Sequence, residues 1–320
     1  MKTLVQTRDL RKKFPSKGSF VEVLQGVDLD VFEGEIFGFL GPNGAGKTTF
    51  LKILTTLSPF DSGEAFVAGF SIKESPDLVR QVIGYVSQKG GADPRSKGIE
   101  NLLLQGQLYG LTKKEALRQA ENLIEIFDLS DCIKRAVSTY SGGQQRRLDL
   151  ALGMMHTPKL LFLDEPTTGL DPQNRANLWE KLRHLKNQGV TIFLTSHYLD
   201  EVDELSDRLA ILDHGKIVAQ GTAQELKRQI SGDIVTIGFS KAMQEKAKQF
   251  FVQGFNFVRE TTWHQNDVRL SVESGEASLV HLLRLLDAAQ LPLETLQLSL
   301  PTLDDVFLKK TGRSLREEAL

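Results

Sequence analysis

The sequence predicts an α/β protein with a largely parallel sheet and a helical insertion, followed by a small α+β domain. Three observations predict it. Short apolar runs, Ile36–Leu40, Leu160–Leu163 and Val190–Leu194, alternate with polar and amphipathic stretches, as buried parallel strands alternate with covering helices. From about Glu100 to Leu129 the apolar residues recur at helical spacing with charges between them. The chain has 320 residues, more than the roughly 250–300 one hydrophobic core accommodates, and its character changes near Ser231-Gly232.

The elements follow in order. Leu4–Leu10 and the alternating Val27-Asp28-Leu29-Asp30-Val31 read as strands. Glu33-Gly34-Glu35 turns the chain into the apolar strand Ile36–Leu40. That strand runs into Gly41-Pro42-Asn43-Gly44-Ala45-Gly46-Lys47-Thr48-Thr49 and the helix start Phe50–Leu54. The segment from Lys89 to Tyr140, extending to about residue 150, reads as the helical insertion. Leu160–Leu163 and Val190–Leu194 are buried strands separated by the amphipathic stretch Asn174–Asn187. Arg208–Leu212, His214-Gly215 and Lys216–Gly221 read as a hairpin around a tight turn.

Past residue 230 the glycine-rich loops stop. Ile234–Phe239, Phe255–Thr262, Val268–Val272 and Thr295–Leu300 read as strands, with helices at Lys241–Phe251 and Ala277–Leu286. The order β-α-β-β-α-β is compatible with a ferredoxin-like domain. Residues 1–230 and 231–320 are therefore read as two domains. Thr302-x-x-Asp305 before Val306-Phe307-Leu308 is a helix-start signal, and the charged end Thr311–Leu320 is expected to be mobile.

Composition excludes several classes. With 40% hydrophobic and 25% charged residues the chain is neither disordered nor of low complexity. The 39 basic and 41 acidic residues leave a net charge of −2, so bulk electrostatics offers nucleic acid no attraction. The single cysteine, Cys132, cannot form an intrachain disulfide, which fits a reducing compartment, and carries no motif. No apolar run approaches the ~20 residues that span a bilayer, and Met1–Asp9 turns polar too soon for a signal peptide. A soluble cytoplasmic protein is expected.

Gly41-x-x-x-x-Gly46-Lys47-Thr48 between strand and helix satisfies the pattern of a phosphate-binding loop. Glycines let backbone N–H groups converge on a polyanion, and the helix N-terminus adds a favourable dipole. The Lys47 ammonium can reach β- and γ-phosphates, and the Thr48 hydroxyl can ligate Mg²⁺. Leu160–Leu163 ends in Asp164-Glu165, at the carboxyl edge where open α/β sheets bind ligands. Asp164 suits the Mg²⁺ shell, and Glu165 suits a base that orients and deprotonates water.

Tyr140-Ser141-Gly142-Gly143-Gln144-Gln145-Arg146-Arg147, shortly before that strand, narrows the reading. With the phosphate loop it resembles the signature of ABC-type ATPases, a family of P-loop NTPases, departing from Leu-Ser-Gly-Gly-Gln only in Tyr140. Gln88 after Ile83–Ser87 resembles the Q-loop, Gly169-Leu170-Asp171-Pro172 the D-loop, and Thr195-Ser196-His197 the switch histidine. Phe14 sits where the family places an adenine-stacking aromatic; it could stack on the base or fill core. The resemblance covers about residues 2–230. Arg147-Leu148-Asp149-Leu150-Ala151 and Pro301–Leu308 resemble the daunorubicin-resistance group of ABC-2 transporters, whose ATPase accompanies a separate membrane permease.

The resemblance implies ATP and Mg²⁺ as ligands. Gln88 would ligate Mg²⁺ and contact the attacking water, and His197 would donate to the γ-phosphate. The loop residues Gly41 to Thr49 would cradle the nucleotide. Ser141, Gly142, Gly143 and Gln144 open a second anion-binding helix terminus for which one chain has no second triphosphate. The family's solution is a head-to-tail homodimer in which Ser141 of one chain closes on the γ-phosphate held by Lys47 of the other, with Asp171 shaping that contact. The expected function is ATP hydrolysis powering transport, in the export direction, through a separate ABC-2 permease at the cytoplasmic side of the membrane. Two alternatives are weaker. A non-transport ABC ATPase would carry a second cassette or a long coiled coil, and neither is present. A kinase or GTPase has no use for Ser-Gly-Gly-Gln, and no Asn-Lys-x-Asp occurs.

Overall fold

A computed structural model of the chain describes residues 2–16, 18–229, 233–264, 267–299 and 301–312. They fall into two units that divide between Ala223 and Gln224. In the first, β1 (Thr3–Ser16) and β2 (Ser19–Phe32) pair antiparallel from Thr3 opposite Phe32 to Ser16 opposite Ser19. β1 runs about twice, and β2 nearly three times, the length that alternation predicts. Their outer ends, Lys13–Ser16 and Ser19–Val21, are exposed, so the ladder holds them without an apolar pattern.

The expected strand β3 (Ile36–Leu40) is buried throughout and leads into α1 (Lys47–Leu54). Then come β4 (Ser62–Val67), β5 (Phe70–Ser71), α2 (Pro76–Val82) and β6 (Ile83–Val86). The expected helical segment consists of α3 (Gly98–Leu108) and α4 (Lys113–Ile126), packed with α5 (Gly142–Gly153). Next are β7 (Leu160–Asp164), α6 (Pro172–Asn187), β8 (Thr191–Ser196) and α7 (Leu199–Leu205). At the boundary α8 (Ala223–Arg228) opens the second unit, and the first carries the hairpin, β9 (Arg208–Asp213) and β10 (Lys216–Gly221). Its turn residues His214 and Gly215 both have positive φ, 44° and 75°, as a two-residue hairpin turn requires.

Two sheets organise this unit. One is antiparallel, in the order β2-β1-β4-β5. The other runs β10-β9-β3-β8-β7-β6 and is parallel except for β10. Between them α1 touches β4 on one side and β7 and β8 on the other. Phe39 stacks on Phe50 at 4.8 Å and meets Phe193 at 5.5 Å, so the aromatic centre of the core lies directly beneath the loop entering α1. In the parallel register Leu40 is opposite Ser196, Asp164 opposite Thr195 and Val86 opposite Leu163. The loops leaving β3, β6, β7 and β8 therefore emerge from one edge of the sheet, where ligands of such sheets bind.

The second unit contains β11 (Asp233–Gly238), α9 (Gln244–Val252), β12 (Val258–His264), β13 (Asp267–Val272), α10 (Gly275–Ala288), β14 (Thr295–Ser299) and α11 (Leu303–Thr311). Its antiparallel sheet, β12-β13-β11-β14, has the split-βαβ order of a ferredoxin-like fold, as the sequence order suggests. Val235, Ile237, Val268, Leu270 and Val272 pack with Phe251, Leu282 and Leu286 of the helices. The helix signal at Thr302 is a reciprocal cap: Asp305 N donates to Thr302 Oγ1 at 3.3 Å and Thr302 N to Asp305 Oδ2 at 2.8 Å. Of the end expected to be mobile, Thr311 closes α11, whereas residues 313–320 lie outside the described residues.

Candidate functional site

The loop between β3 and α1 lines a cleft with Phe14, Val23 and Glu165. Gly46 has φ of 110°, and a Cβ there would stand 2.9 Å from Val23 O, so only glycine fits this bend. Pro42, Asn43, Gly44, Thr48 and Thr49 also line the cleft; Gly41 opens the loop and Ala45 is buried beneath it. Lys47 is 5% exposed. Its Nζ donates to Gly41 O at 2.7 Å and Pro42 O at 3.0 Å and lies 3.7 Å from Glu165 Oε1. Burial pulls its pKa down, and the Glu165 and Asp164 carboxylates oppose that pull.

Asp164 closes β7. Its Oδ1 accepts from Thr48 Oγ1 at 3.2 Å and from Thr195 Oγ1 at 2.7 Å. The next residue departs from strand geometry, with Glu165 φ at 46°, and that swing carries its carboxylate from the sheet into the cleft. Glu165 Oε2 accepts from Gln88 Nε2 at 3.0 Å and Thr168 Oγ1 at 3.2 Å. Oε1 lies 3.2 Å from His197 Nδ1, close for an ion pair but without good hydrogen-bond alignment. The imidazole beside it, and then the Lys47 charge, hold Glu165 below the ordinary carboxylate range against the opposing effect of burial. A base that is ionised at neutral pH and aimed at the phosphate loop results.

Thr48, Asp164 and Gln88 present oxygen donors, the hard ligands Mg²⁺ takes, and the shared hydrogen bond already brings Thr48 and Asp164 together. Phe14, 39% exposed, borders the same cleft. Lys12 Nζ stands 5.1 Å over its ring, with Asp61 at 3.3 Å holding the ammonium.

The signature residues sit elsewhere. Ser141 N-caps α5, accepting from Gln144 N at 3.3 Å, while Gln144 Oε1 accepts from Ser141 N at 3.1 Å. Beside Gly142 nothing lies within 4 Å of an added Cβ, whereas one on Gly143 would strike Asn174 Oδ1. Asn174 in turn is bound by Asp171, the exposed N-cap of α6, at 2.8 Å through its backbone N–H. Among the described residues, no hydrogen bond or ion pair joins Ser141–Gln144 or Asp171 to the phosphate loop, Asp164 or Glu165. Tyr140, the departure from the usual leucine, donates its hydroxyl to Cys132 O at 2.8 Å and anchors the approach to α5.

Sequence reasoning passed over three groups that hold the site. Arg146 on α5 is buried and donates to Pro166 O at 2.7 Å, Ser87 O at 2.7 Å and Asp164 O at 3.1 Å. One guanidinium thus fixes the backbone beside Gln88, Asp164 and Glu165. Asp149, one turn on, accepts from Gly91 N at 3.0 Å. Thr195 braces Asp164. The available signal was a basic and an acidic residue three apart in an otherwise apolar helix face.

Comparison with known proteins agrees with this geometry. A family model for ABC transporters matches residues 24–168, and one for the C-terminal domain of DrrA1-3-like ATP-binding proteins matches residues 221–311. The daunorubicin resistance ATP-binding protein DrrA3 of Streptomyces coeruleorubidus is 40% identical over 303 residues, 93% of this chain and 94% of that one. The linearmycin resistance ATP-binding protein LnrL of Bacillus subtilis is 34% identical, covering 98% of this chain and 100% of its own. Among solved structures, the ADP conformation of MJ1267, an ATP-binding cassette of an ABC transporter, has a TM-score of 0.62 at 26% identity. That likeness covers 70% of this chain and 93% of the cassette. The chain belongs to the ATP-binding, ATP-hydrolysing subunits of ABC transporters, in the group that carries the DrrA-like C-terminal domain.

Proposed function

We propose that two copies of this chain bind two Mg-ATP molecules head to tail and hydrolyse them to drive export through a separately encoded ABC-2 permease. The observation that carries the reading is the division of the site. Lys47, Asp164, Glu165, Gln88 and His197 converge on one cleft, while the anion-ready terminus at Ser141 stands apart and exposed. In the dimer, Ser141, Gly142 and Gly143 of one copy meet the γ-phosphate cradled by the other.

Within each half-site Lys47 would leave the carbonyls of Gly41 and Pro42 for the phosphates. Residues 41–49 supply the cradle, and Phe14 offers a ring face to adenine. Thr48, Asp164 and the Gln88 amide oxygen would hold Mg²⁺, which neutralises charge on the β- and γ-oxygens when bound. Glu165 takes a proton from the attacking water, positioned with Gln88, and His197 donates to the γ-phosphate.

The described residues include no helix long and apolar enough to cross a membrane, so the cargo pathway is assigned to the permease. We place this chain on its cytoplasmic face, with residues 1–230 as the engine and 231–320 as an accessory domain. The relatives' names, resistance to daunorubicin and linearmycin, favour an apolar drug or lipid as cargo. Affinity purification of the tagged chain from detergent-solubilised membranes tests this. A multispanning membrane protein in about equal amount supports it; recovery with ribosomes and no membrane protein rejects it.

A further inference from the structure

Glu201, on the first turn of α7, has no part in the reaction described above, yet its carboxyl is fully buried. Burying an ionisable group is costly unless it is paired, and an apolar residue beside Val202 and Leu205 would pack here without that cost. Its surroundings join two segments of different purpose. Ser196, next to His197, donates to Glu201 Oε2 at 2.6 Å, and the same hydroxyl accepts from Tyr198 N at 2.9 Å. From the other side come Thr167, Trp179 and the Arg175 charge, all on the stretch that runs from Glu165 through Asp171 into α6. Arg146 adds a second positive charge in range of the carboxyl.

This junction is incompletely closed. Glu201 Oε1, Thr167 Oγ1, Trp179 Nε1 and Arg175 Nε are all shut off from solvent without a well-formed hydrogen bond. Leaving such atoms unpaired is costly, and any shift that pairs them is favourable. A second link runs parallel to the first. The Arg175 guanidinium lies 4.8 Å over the Tyr198 ring, which touches the His197 ring at 4.0 Å, and Arg175 N donates to Asp171 O at 3.0 Å. Two routes thus connect the His197 turn with the segment that carries Asp171, one through the buried carboxyl and one through the aromatic rings.

We propose that Glu201 is a positioning residue that ties the His197 turn to the Asp171 segment, so that γ-phosphate contact in one half-site is transmitted to the loop facing the other. The inference rests on the dimer reading above. Burial raises the Glu201 pKa, while Ser196, Thr167, Trp179 and the Arg175 charge oppose that rise, and Trp179 Nε1, which can only donate, calls for an acceptor. Glu201→Gln replaces one acceptor with a donor at nearly constant volume. Trp179→Phe removes the facing N–H and leaves Glu201 intact.

The test uses the full-length chain, with steady-state hydrolysis measured against ATP concentration, nucleotide affinity by calorimetry and Tm as a folding control. For Glu201→Gln we expect kcat to fall about tenfold or more and the Hill coefficient to drop from about 2 towards about 1, with affinity within about threefold. Trp179→Phe should show the same split more weakly, and decides the matter if Glu201→Gln fails to fold. Retained kcat and Hill coefficient, or a loss in step with affinity or Tm, overturns the proposal and makes Glu201 merely structural. Sedimentation in a Glu165→Gln background separates the two readings. If Glu165→Gln alone stays monomeric with Mg-ATP, the dimer reading fails and this one with it. If it pairs while Glu201→Gln leaves the kinetics unchanged, only this proposal fails.

Discussion

Glu165 carries opposing demands: the proposed role as a base requires it ionised, yet it sits beside a sheet edge and is 12% exposed. The His197 imidazole and the Lys47 ammonium resolve this by depressing its pKa below the ordinary 4.5. A depressed carboxylate contributes stability above its unfolded value and loses it as pH falls through the lower, folded value. The nucleotide-free wild type should therefore exceed Glu165→Gln in Tm by more at pH 7 than at pH 3, and a difference that grew on acidification would contradict the pairing. In turnover, Glu165→Gln should keep ATP binding and lose about 100-fold or more of kcat. Lys47→Ala removes the only buried ammonium in the described cleft, and calorimetry should show nucleotide affinity falling at least about tenfold. Arg146→Leu would strip donors from three carbonyls that flank the catalytic groups. It should destabilise the fold by about 3–5 kcal/mol in urea titration, and a neutral effect would show that water replaces the guanidinium.

At the scale of elements, what was legible in the sequence was what local pattern dictates. Ile36–Leu40 reads as a buried strand because all five residues are apolar or glycine, and the His214-Gly215 turn because both positions need positive φ. The Thr302/Asp305 cap is equally local. Thr302→Ala should cost about 1 kcal/mol by removing an acceptor from the start of α11, and a change near zero in thermal unfolding would mean the helix is held by packing alone. The full length of β1 and β2 was not legible, since their exposed ends are specified by ladder partners and not by alternation. The site divides in the same way. Gly41–Thr49 and Asp164-Glu165 announce themselves by spacing. Arg146, Asp149, Thr195 and Glu201 do not, because their partners lie on other loops and become neighbours only when the parallel register aligns the strand ends.

For the whole molecule, one cleft gathers Glu165, Gln88, Lys47 and the loop between β3 and α1, while the helix terminus capped by Ser141 stands apart from it. A single copy cannot bring these together on one triphosphate in the geometry described. In the proposed dimer, two copies related by a twofold axis would satisfy both ends at once, with nucleotide as part of the interface. Binding and hydrolysis so arranged would alternate between a clamped pair and a released one, a movement the proposed permease can use to move cargo. The decisive measurement is the sedimentation coefficient of purified Glu165→Gln with and without saturating Mg-ATP. We expect a shift from one copy to two on adding nucleotide and reversal when it is removed. A species that remains a single copy at saturation contradicts it.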